Sequence, residues 1–126
     1  MARRINLATA KRLGLPGRTS LEPISGETGA RVSVRIAEIP PSKPGDTPRG
    51  PHRHDDFEEC IYVLKGEGLT CTESSEILIK PGDLVLVPAN EKHMTVNIGT
   101  EPLVLLCFFP VPDVSAHTQE FSNFKA

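Results

Sequence analysis

The chain has 126 residues, of which 38% are apolar and 24% are charged, and its formal net charge is −2. This length is typical of one domain, and the composition excludes an extensively disordered chain. The balanced charge gives no reason to expect a nucleic-acid partner. No apolar run approaches the ~20 residues that a membrane helix needs, so we expect no membrane partner either.

The N-terminal segment is basic. Its first 18 residues contain no acidic residue and five basic ones, Arg3, Arg4, Lys11, Arg12 and Arg18. We interpret residues 1–20 as a basic leader, solvated or packed on a partner subunit, that precedes one domain at residues 21–126. The segment lacks the apolar stretch of a signal peptide, and the three cysteines include no C-x-x-C pair. A reducing cytoplasmic location is therefore the expectation.

Alternating hydrophobicity predicts the first strand of the domain. Residues 31–36 read RVSVRI. Val32, Val34 and Ile36 fall on one face, which we expect to be buried, and Ser33 and Arg35 fall on the other. The next segment, residues 39–51, contains five prolines and two glycines, and it is predicted to be a loop.

Short strands follow this loop at close intervals. They are predicted at residues 59–64, 69–72, 76–80, 83–87, 94–98 and 103–109. Many short strands separated by turn residues indicate an all-β sandwich or barrel. The last of them, LVLLCFF, is apolar on both faces, so it either lies between two packed layers of its own chain or is covered by a second subunit. Cys60, Tyr62 and Leu64 give the strand at 59–64 a second apolar face, which favours a homodimer.

Three histidines and a glutamate form the candidate site. In an extended chain His52 and His54 point the same way, and His93 returns on a later strand. Glu59 falls on the predicted interior face of the strand at 59–64, where a carboxylate needs a cationic or hydrogen-bonding partner. Three imidazoles and one carboxylate suit a first-row divalent metal. The alternative is a histidine pair that binds no metal, next to acidic residues of a solvated face.

The spacing of these residues resembles the two motifs of the cupin superfamily. The first motif is H-x-H, three or four residues, E, six residues and G, and it corresponds to His52, His54, Glu59 and Gly66. The second is G, five residues, P-x-G, two residues, H, three residues and N, and it corresponds to Gly82, Pro88, His93 and Asn97. Asn90 replaces the glycine of P-x-G, and asparagine tolerates a left-handed turn better than most residues.

This resemblance implies a fold and a metal site. The fold is a single antiparallel jelly-roll β-barrel, as in small single-domain bacterial cupins, many of which pair as homodimers through exchanged N-terminal strands. The implied site binds one divalent transition metal, Mn, Fe, Ni or Zn, through His52, His54, Glu59 and His93.

A site of this composition favours an anionic ligand, because a divalent ion with three neutral imidazoles and one carboxylate has a net charge of +1. Arg35 and Asn97 are the predicted substrate-binding residues. We expect a metal-dependent enzyme that acts on a small organic acid, sugar or phenolic by dioxygenase, decarboxylase or isomerase chemistry, with oxygen chemistry if the metal is iron or manganese. The alternatives are a non-catalytic cupin that binds a small ligand or metal, and an accessory module that acts through its dimer surface.

Overall fold

The computed structural model describes residues 1–126 and contains β-strands and three short 3₁₀ helices. The eleven strands are β1 (Lys11–Leu13), β2 (Thr19–Ile24), β3 (Ser33–Ile39), β4 (His52–His54), β5 (Glu59–Lys65), β6 (Gly68–Thr72), β7 (Glu76–Ile79), β8 (Leu84–Val87), β9 (His93–Asn97), β10 (Leu103–Phe109) and β11 (Thr118–Glu120). The 3₁₀ helices span Leu7–Thr9, Gly26–Thr28 and Val114–His117. None of these helices has the length and hydrophobicity that crossing a bilayer requires.

The strands form two antiparallel sheets. The six-stranded sheet has the order β1-β2-β3-β10-β5-β8, and the five-stranded sheet has the order β11-β4-β9-β6-β7. The all-β prediction is therefore confirmed, and the arrangement is consistent with a jelly roll. The sheets are not closed into a barrel, because no strand of one sheet pairs with a strand of the other and each sheet keeps two edge strands.

The hydrophobic core lies on the inner face of the six-stranded sheet, around β10. This strand pairs with β3 on one side and β5 on the other. Its residues alternate between the interior, where Leu103 and Leu105 are 0% and 1% exposed, and the outer face, where Phe108 is exposed. Residues 103–109 form a strand with the predicted bounds, and their inner face packs within the chain itself.

The predicted orientation of the first strand of the domain is wrong. In β3 the interior face carries Ser33, Arg35 and Ala37, whereas Val34 and Ile36 are half-buried on the outer face. The reason is that this part of the interior is polar. Ser33 donates to a backbone carbonyl at 2.7 Å, and the Arg35 guanidinium forms an ion pair at 2.6 Å. Paired polar groups are stable in an interior, so alternation alone does not identify the buried face.

The segment interpreted as a basic leader contributes strands to its own chain. β1 pairs antiparallel with β2, and β2 begins at Thr19, before the predicted domain start at residue 21. A surface ion pair between Lys11 and Glu27 adds a contact at 3.0 Å. The N-terminal residues thus form one edge of the six-stranded sheet.

The turn between β5 and β6 depends on the glycine at position 66. Gly66 has a φ of +86°, and a Cβ there would lie 2.5 Å from the Pro102 carbonyl oxygen and 2.8 Å from the Leu103 Cα. We predict that Gly66→Ala lowers the free energy of unfolding by at least ~1 kcal/mol more than Gly82→Ala, as measured by urea denaturation. Gly82 is a matched control because its φ is +94° but no atom lies within 4 Å of its Cβ position. Equal losses in the two variants would contradict the close-packing argument.

Candidate metal centre

Two strands of the five-stranded sheet and one strand of the six-stranded sheet position the four side chains of the candidate site. β4 carries His52 and His54, β5 begins with Glu59, and β9 begins with His93. The register of the five-stranded sheet places His52 directly opposite His93. The alternation of β5 turns Glu59 inward, so a carboxylate of one sheet faces imidazoles of the other.

A turn at Asn90, inside the second cupin-like motif, is hydrogen-bonded to the first motif. Asn90 has a φ of +67°, the left-handed conformation that a glycine would adopt there, and its N–H donates to the His54 carbonyl at 2.8 Å. The substitution of asparagine for glycine therefore preserves the turn, as asparagine is one of the few residues that tolerate this conformation. This hydrogen bond fixes the chain just before His93 against the strand that holds His54.

The four side chains converge in a buried cluster. One ligand atom from each of His52, His54, Glu59 and His93 lies within 4.8 Å of all the others. The four residues are only 6%, 3%, 4% and 1% exposed. The structure therefore brings together the four residues that the sequence predicted as metal ligands.

Hydrogen bonds around the cluster orient two of the imidazoles. His93 Nδ1 lies 2.9 Å from the Glu91 carbonyl oxygen, which only accepts, so Nδ1 carries the proton. His54 Nδ1 lies 2.9 Å from Thr118 Oγ1. Since that hydroxyl already donates to the Val114 carbonyl at 2.7 Å, it accepts from Nδ1–H of His54. Both rings thus keep the Nε2 lone pair facing the cluster, the tautomer that a metal ligand needs.

The geometry inside the cluster favours a bound cation. Nε2 of His54 and Nε2 of His93 lie 3.2 and 3.0 Å from the same oxygen, Oε1 of Glu59. With the protons on Nδ1, these contacts bring nitrogen lone pairs against a carboxylate oxygen, and they are favourable only if a positive charge is shared between them. A proton supplies that charge in part. A divalent ion bound by all four groups satisfies every lone pair at once, so the donor set fits a metal.

The environment keeps Glu59 and His52 in the protonation states that metal binding requires. Burial alone would raise the pKa of Glu59, but its close contacts with His54 and His93 hold it well below its usual range. Burial, with the nearby Arg49 guanidinium and His93, lowers the pKa of His52 to about 2. At neutral pH Glu59 is therefore ionised and His52 is neutral.

The cluster opens into a small cavity lined by three arginines. The cavity has a volume of about 30 Å³, room for about one water-sized group. Arg18, Arg35 and Arg49 line it together with the four candidate ligands. Arg49 forms a bidentate ion pair with Glu120 at 2.7 and 2.9 Å. The charge of the Arg49 guanidinium is thus balanced by a carboxylate.

The two predicted substrate-binding residues lie in different places. Arg35 reaches the cavity wall, where it pairs with Glu22 at 2.6 Å and donates to Ser115 at 3.2 Å. Asn97 does not reach the cluster. Its Nδ2 donates to the Ile39 and Glu101 carbonyls, and its Oδ1 accepts from a backbone N–H, so all its polar atoms serve the loops at the far end of β9.

Sequence reasoning missed Arg18. The basic composition of residues 1–20 suggested a solvated leader, and the residues around Arg18 show no alternation that marks an inward-facing side chain. In the structure Arg18 directly precedes β2 and lines the cavity beside Arg49. Ser20 is two residues after Arg18 and is buried on the same side of the chain. The inward face of this segment is therefore polar and gives no hydrophobic signal.

Fold and site together define a small two-sheet β-protein with a buried three-histidine, one-carboxylate centre. A family model described as "Cupin domain" matches residues 38–109, which include the whole cluster. The chain belongs to this cupin family.

Similarity to individual proteins covers the fold and part of the sequence. The glucose-6-phosphate isomerase of Thermococcus gammatolerans is 39% identical over 64 residues, 47% of this chain and 34% of the relative. The oxalate decarboxylase of Lactobacillus farciminis, in a formate complex, superposes with a TM-score of 0.75 at 23% identity, over 92% of this chain and 35% of the other. The polyketide cyclase RemF from Streptomyces resistomycificus superposes with a TM-score of 0.69 at 24% identity, over 86% and 79%.

The curated relatives and the solved structures match different lengths of the chain. The chain spans less than half of the length of the curated relatives it matches, 45% and 34% of the first two. The similarity to the solved structures extends over most of this chain, but at identities below 25% it establishes the fold alone.

Proposed function

We propose that this protein is a divalent-metal-dependent enzyme that acts on a small anionic substrate. The observation that carries the proposal is the convergence of His52, His54, Glu59 and His93 within 4.8 Å in a cavity that arginines also line. A divalent ion held by these four residues would supply a Lewis acid at neutral pH. The arginines favour a carboxylate or phosphate group on the molecule that reaches the ion.

Isomerase chemistry is the reaction type that we propose to test first. The support is the local identity with glucose-6-phosphate isomerases, whose named substrate is a small phosphorylated sugar. In this chain Glu59 is committed to the cluster through His54 and His93, so it is not available as a free general base. The small volume of the cavity limits water near the reacting group, and an arginine that lines it would hold the charge of the substrate.

The experiment begins with the metal. Protein produced in medium supplied with Mn, Fe, Ni and Zn is purified without a histidine tag, and its metal content is measured by mass spectrometry. We expect about one ion per chain. A chain that holds none under these conditions would overturn the proposal.

The loaded protein is then tested for each reaction class. Small sugar phosphates and keto acids are incubated with it in D2O, and proton NMR follows exchange at the carbon next to the carbonyl. Isomerase chemistry predicts such exchange, whereas carbon dioxide release or oxygen consumption would point to a decarboxylase or a dioxygenase. A loaded protein that turns over none of these compounds would instead be a binding cupin without catalysis.

The outer face of the six-stranded sheet supports a second proposal, a homodimer. Leu84 and Leu86 on β8 are 72% and 61% exposed. The register places them beside the exposed Tyr62 and Cys60 of β5, which forms a continuous apolar patch. An exposed apolar patch of this kind marks an interaction surface, and we propose that a second copy of the chain covers it.

Substitution within the patch tests the dimer. We predict that Leu86→Asp shifts the protein to monomers in sedimentation velocity, because a buried carboxylate without a partner is strongly unfavourable at an interface. Leu78→Asp is the control, since Leu78 is also exposed, at 72% against 61% for Leu86, but lies on β7 of the other sheet. A dimer that persists in Leu86→Asp, or a wild-type protein that is monomeric, would contradict this assignment.

A further inference from the structure

One of the three arginines of the cavity has no partner within the protein. Arg35 pairs with Glu22, and Arg49 pairs with Glu120. Arg18 forms no such ion pair, and its Nε is buried without a hydrogen bond. A buried donor without a partner is costly, so the position of this group next to the candidate metal centre indicates a ligand.

Arg18 also lines a second and larger pocket. This pocket has a volume of about 310 Å³ and lies under the proline-rich loop at residues 40–49, against β9. Arg18, Arg49 and Thr95 line both the pocket and the metal cavity, so they form the boundary between the two. The volume is that of a small-molecule site, whereas the metal cavity admits only a water-sized group.

The backbone holds Arg18 firmly at this boundary. The preceding residue, Gly17, has a φ of +71°, and a Cβ there would lie 3.1 Å from Pro48 Cα and 3.2 Å from the Thr47 carbonyl oxygen. The chain at residue 17 is therefore packed against the proline-rich loop. Burial and the neighbouring Arg49 lower the pKa of Arg18 to about 10, so the guanidinium is still charged at neutral pH.

We propose that Arg18 binds the anionic group of the substrate, a carboxylate or a phosphate, while the body of the substrate occupies the larger pocket and its reacting end reaches the metal centre. The last part rests on the proposed function, whereas anion binding by Arg18 does not depend on it. Arg18 is suited to this role because its donors are not used by the protein, in contrast to those of Arg35 and Arg49. A guanidinium group also matches the two oxygens of a carboxylate or phosphate.

Titration calorimetry on the metal-loaded protein tests the proposal, with succinate and inorganic phosphate as separate probes. We expect Arg18→Gln to weaken binding of the preferred anion about tenfold or more. Arg12→Gln is the matched control, because it removes the same charge from an exposed position on β1. The two probes distinguish a carboxylate site from a phosphate site. Equal affinity in the two variants, or no binding of either probe by the wild type, would overturn the proposal.

Thermal unfolding separates anion binding from a structural role. A structural role predicts that Arg18→Gln melts below the wild type in anion-free buffer. Anion binding predicts a melting temperature that is equal or higher, together with loss of the rise that the anion produces in the wild type. If Arg18→Gln does not fold, Arg18→Lys retains a point charge, and it is expected to bind with intermediate affinity. Wild-type affinity in Arg18→Lys would contradict recognition by the guanidinium fork.

Metal analysis of the same samples keeps the two proposals apart. A wild-type protein without metal that still binds the anion through Arg18 would reject the proposed enzyme and retain the anion site. A metal-loaded protein whose anion affinity is the same in Arg18→Gln and Arg12→Gln would reject the anion site at Arg18 and leave the proposed enzyme intact.

Discussion

Replacing Glu59 by glutamine is expected to abolish metal binding while leaving the fold intact. Glutamine has nearly the same shape, but it removes the only negative charge of the ligand set, so a divalent ion would face three neutral imidazoles and a neutral amide. The amide also directs N–H groups toward the imidazole lone pairs that now lie 3.0 and 3.2 Å from the carboxylate. We expect metal affinity to fall at least ~100-fold, since changes around the ligands alone cost 10- to 100-fold.

Metal content after dialysis at a fixed free metal concentration measures this effect. Glu58→Gln is the matched control, because Glu58 is the adjacent residue in the chain, is exposed and points away from the cluster. We expect the control to retain the metal of the wild type. Circular dichroism verifies that Glu59→Gln is folded. A folded Glu59→Gln protein with a full complement of metal would show that the centre is not built as described.

The candidate ligands could be predicted because their spacing is linked to strand geometry. A His-x-His pair in an extended chain has one orientation, and a carboxylate at the start of an alternating strand shares the face of the strand interior. In β5 that face carries Glu59, Ile61 and Val63, which are 4%, 2% and 0% exposed. The alternation of residues along the strands and the spacing of the motifs were therefore sufficient to predict that the four residues lie together.

Arg35 was among the predicted substrate-binding residues, but the inward orientation of Arg35 and Arg18 could not be derived from strand alternation, because it follows from long-range pairing. Arg35 is inward because β3 turns its polar face to a cavity, where Glu22 on a neighbouring strand neutralises the guanidinium. Arg18 is inward because β2 pairs with β3, and residues 1–20 contain no signal for that pairing. Strand alternation defines two faces but does not say which one is interior when the interior is polar.

Asn97 shows a second limit of prediction from sequence, which concerns motif positions. Asn97 was predicted to bind substrate, and it lines the larger pocket. Its amide, however, holds together the end of β3, through the Ile39 carbonyl, and the turn before β10, through the Glu101 carbonyl. A buried amide with every polar atom paired stabilises the loops that join the two sheets. A motif position thus identifies a buried polar residue without saying whether it faces ligand or backbone.

Truncation of Leu103 to alanine is expected to cause a large loss of stability without affecting the metal ligands. Leu103 is 0% exposed on β10, opposite Ile39 of β3, and it packs tightly against Gly68, where an added Cβ would lie 2.6 Å from its Cδ2. Because glycine has no side chain that can move into the space, the cavity left by truncation collapses little. We expect a loss of about 2–5 kcal/mol in the free energy of unfolding.

Urea denaturation in the presence of a chelator measures this loss without the contribution of metal binding. Leu78→Ala is the control, because Leu78 is 72% exposed on β7 and its truncation is expected to change stability by less than ~0.5 kcal/mol. Leu103 does not line the metal cavity, so the folded Leu103→Ala protein should bind metal with the stoichiometry of the wild type. A loss of stability no larger than that of Leu78→Ala would mean that β10 is not the centre of the core. Truncation of a fully buried leucine on a strand paired along both edges is expected to lower the free energy of unfolding by much more.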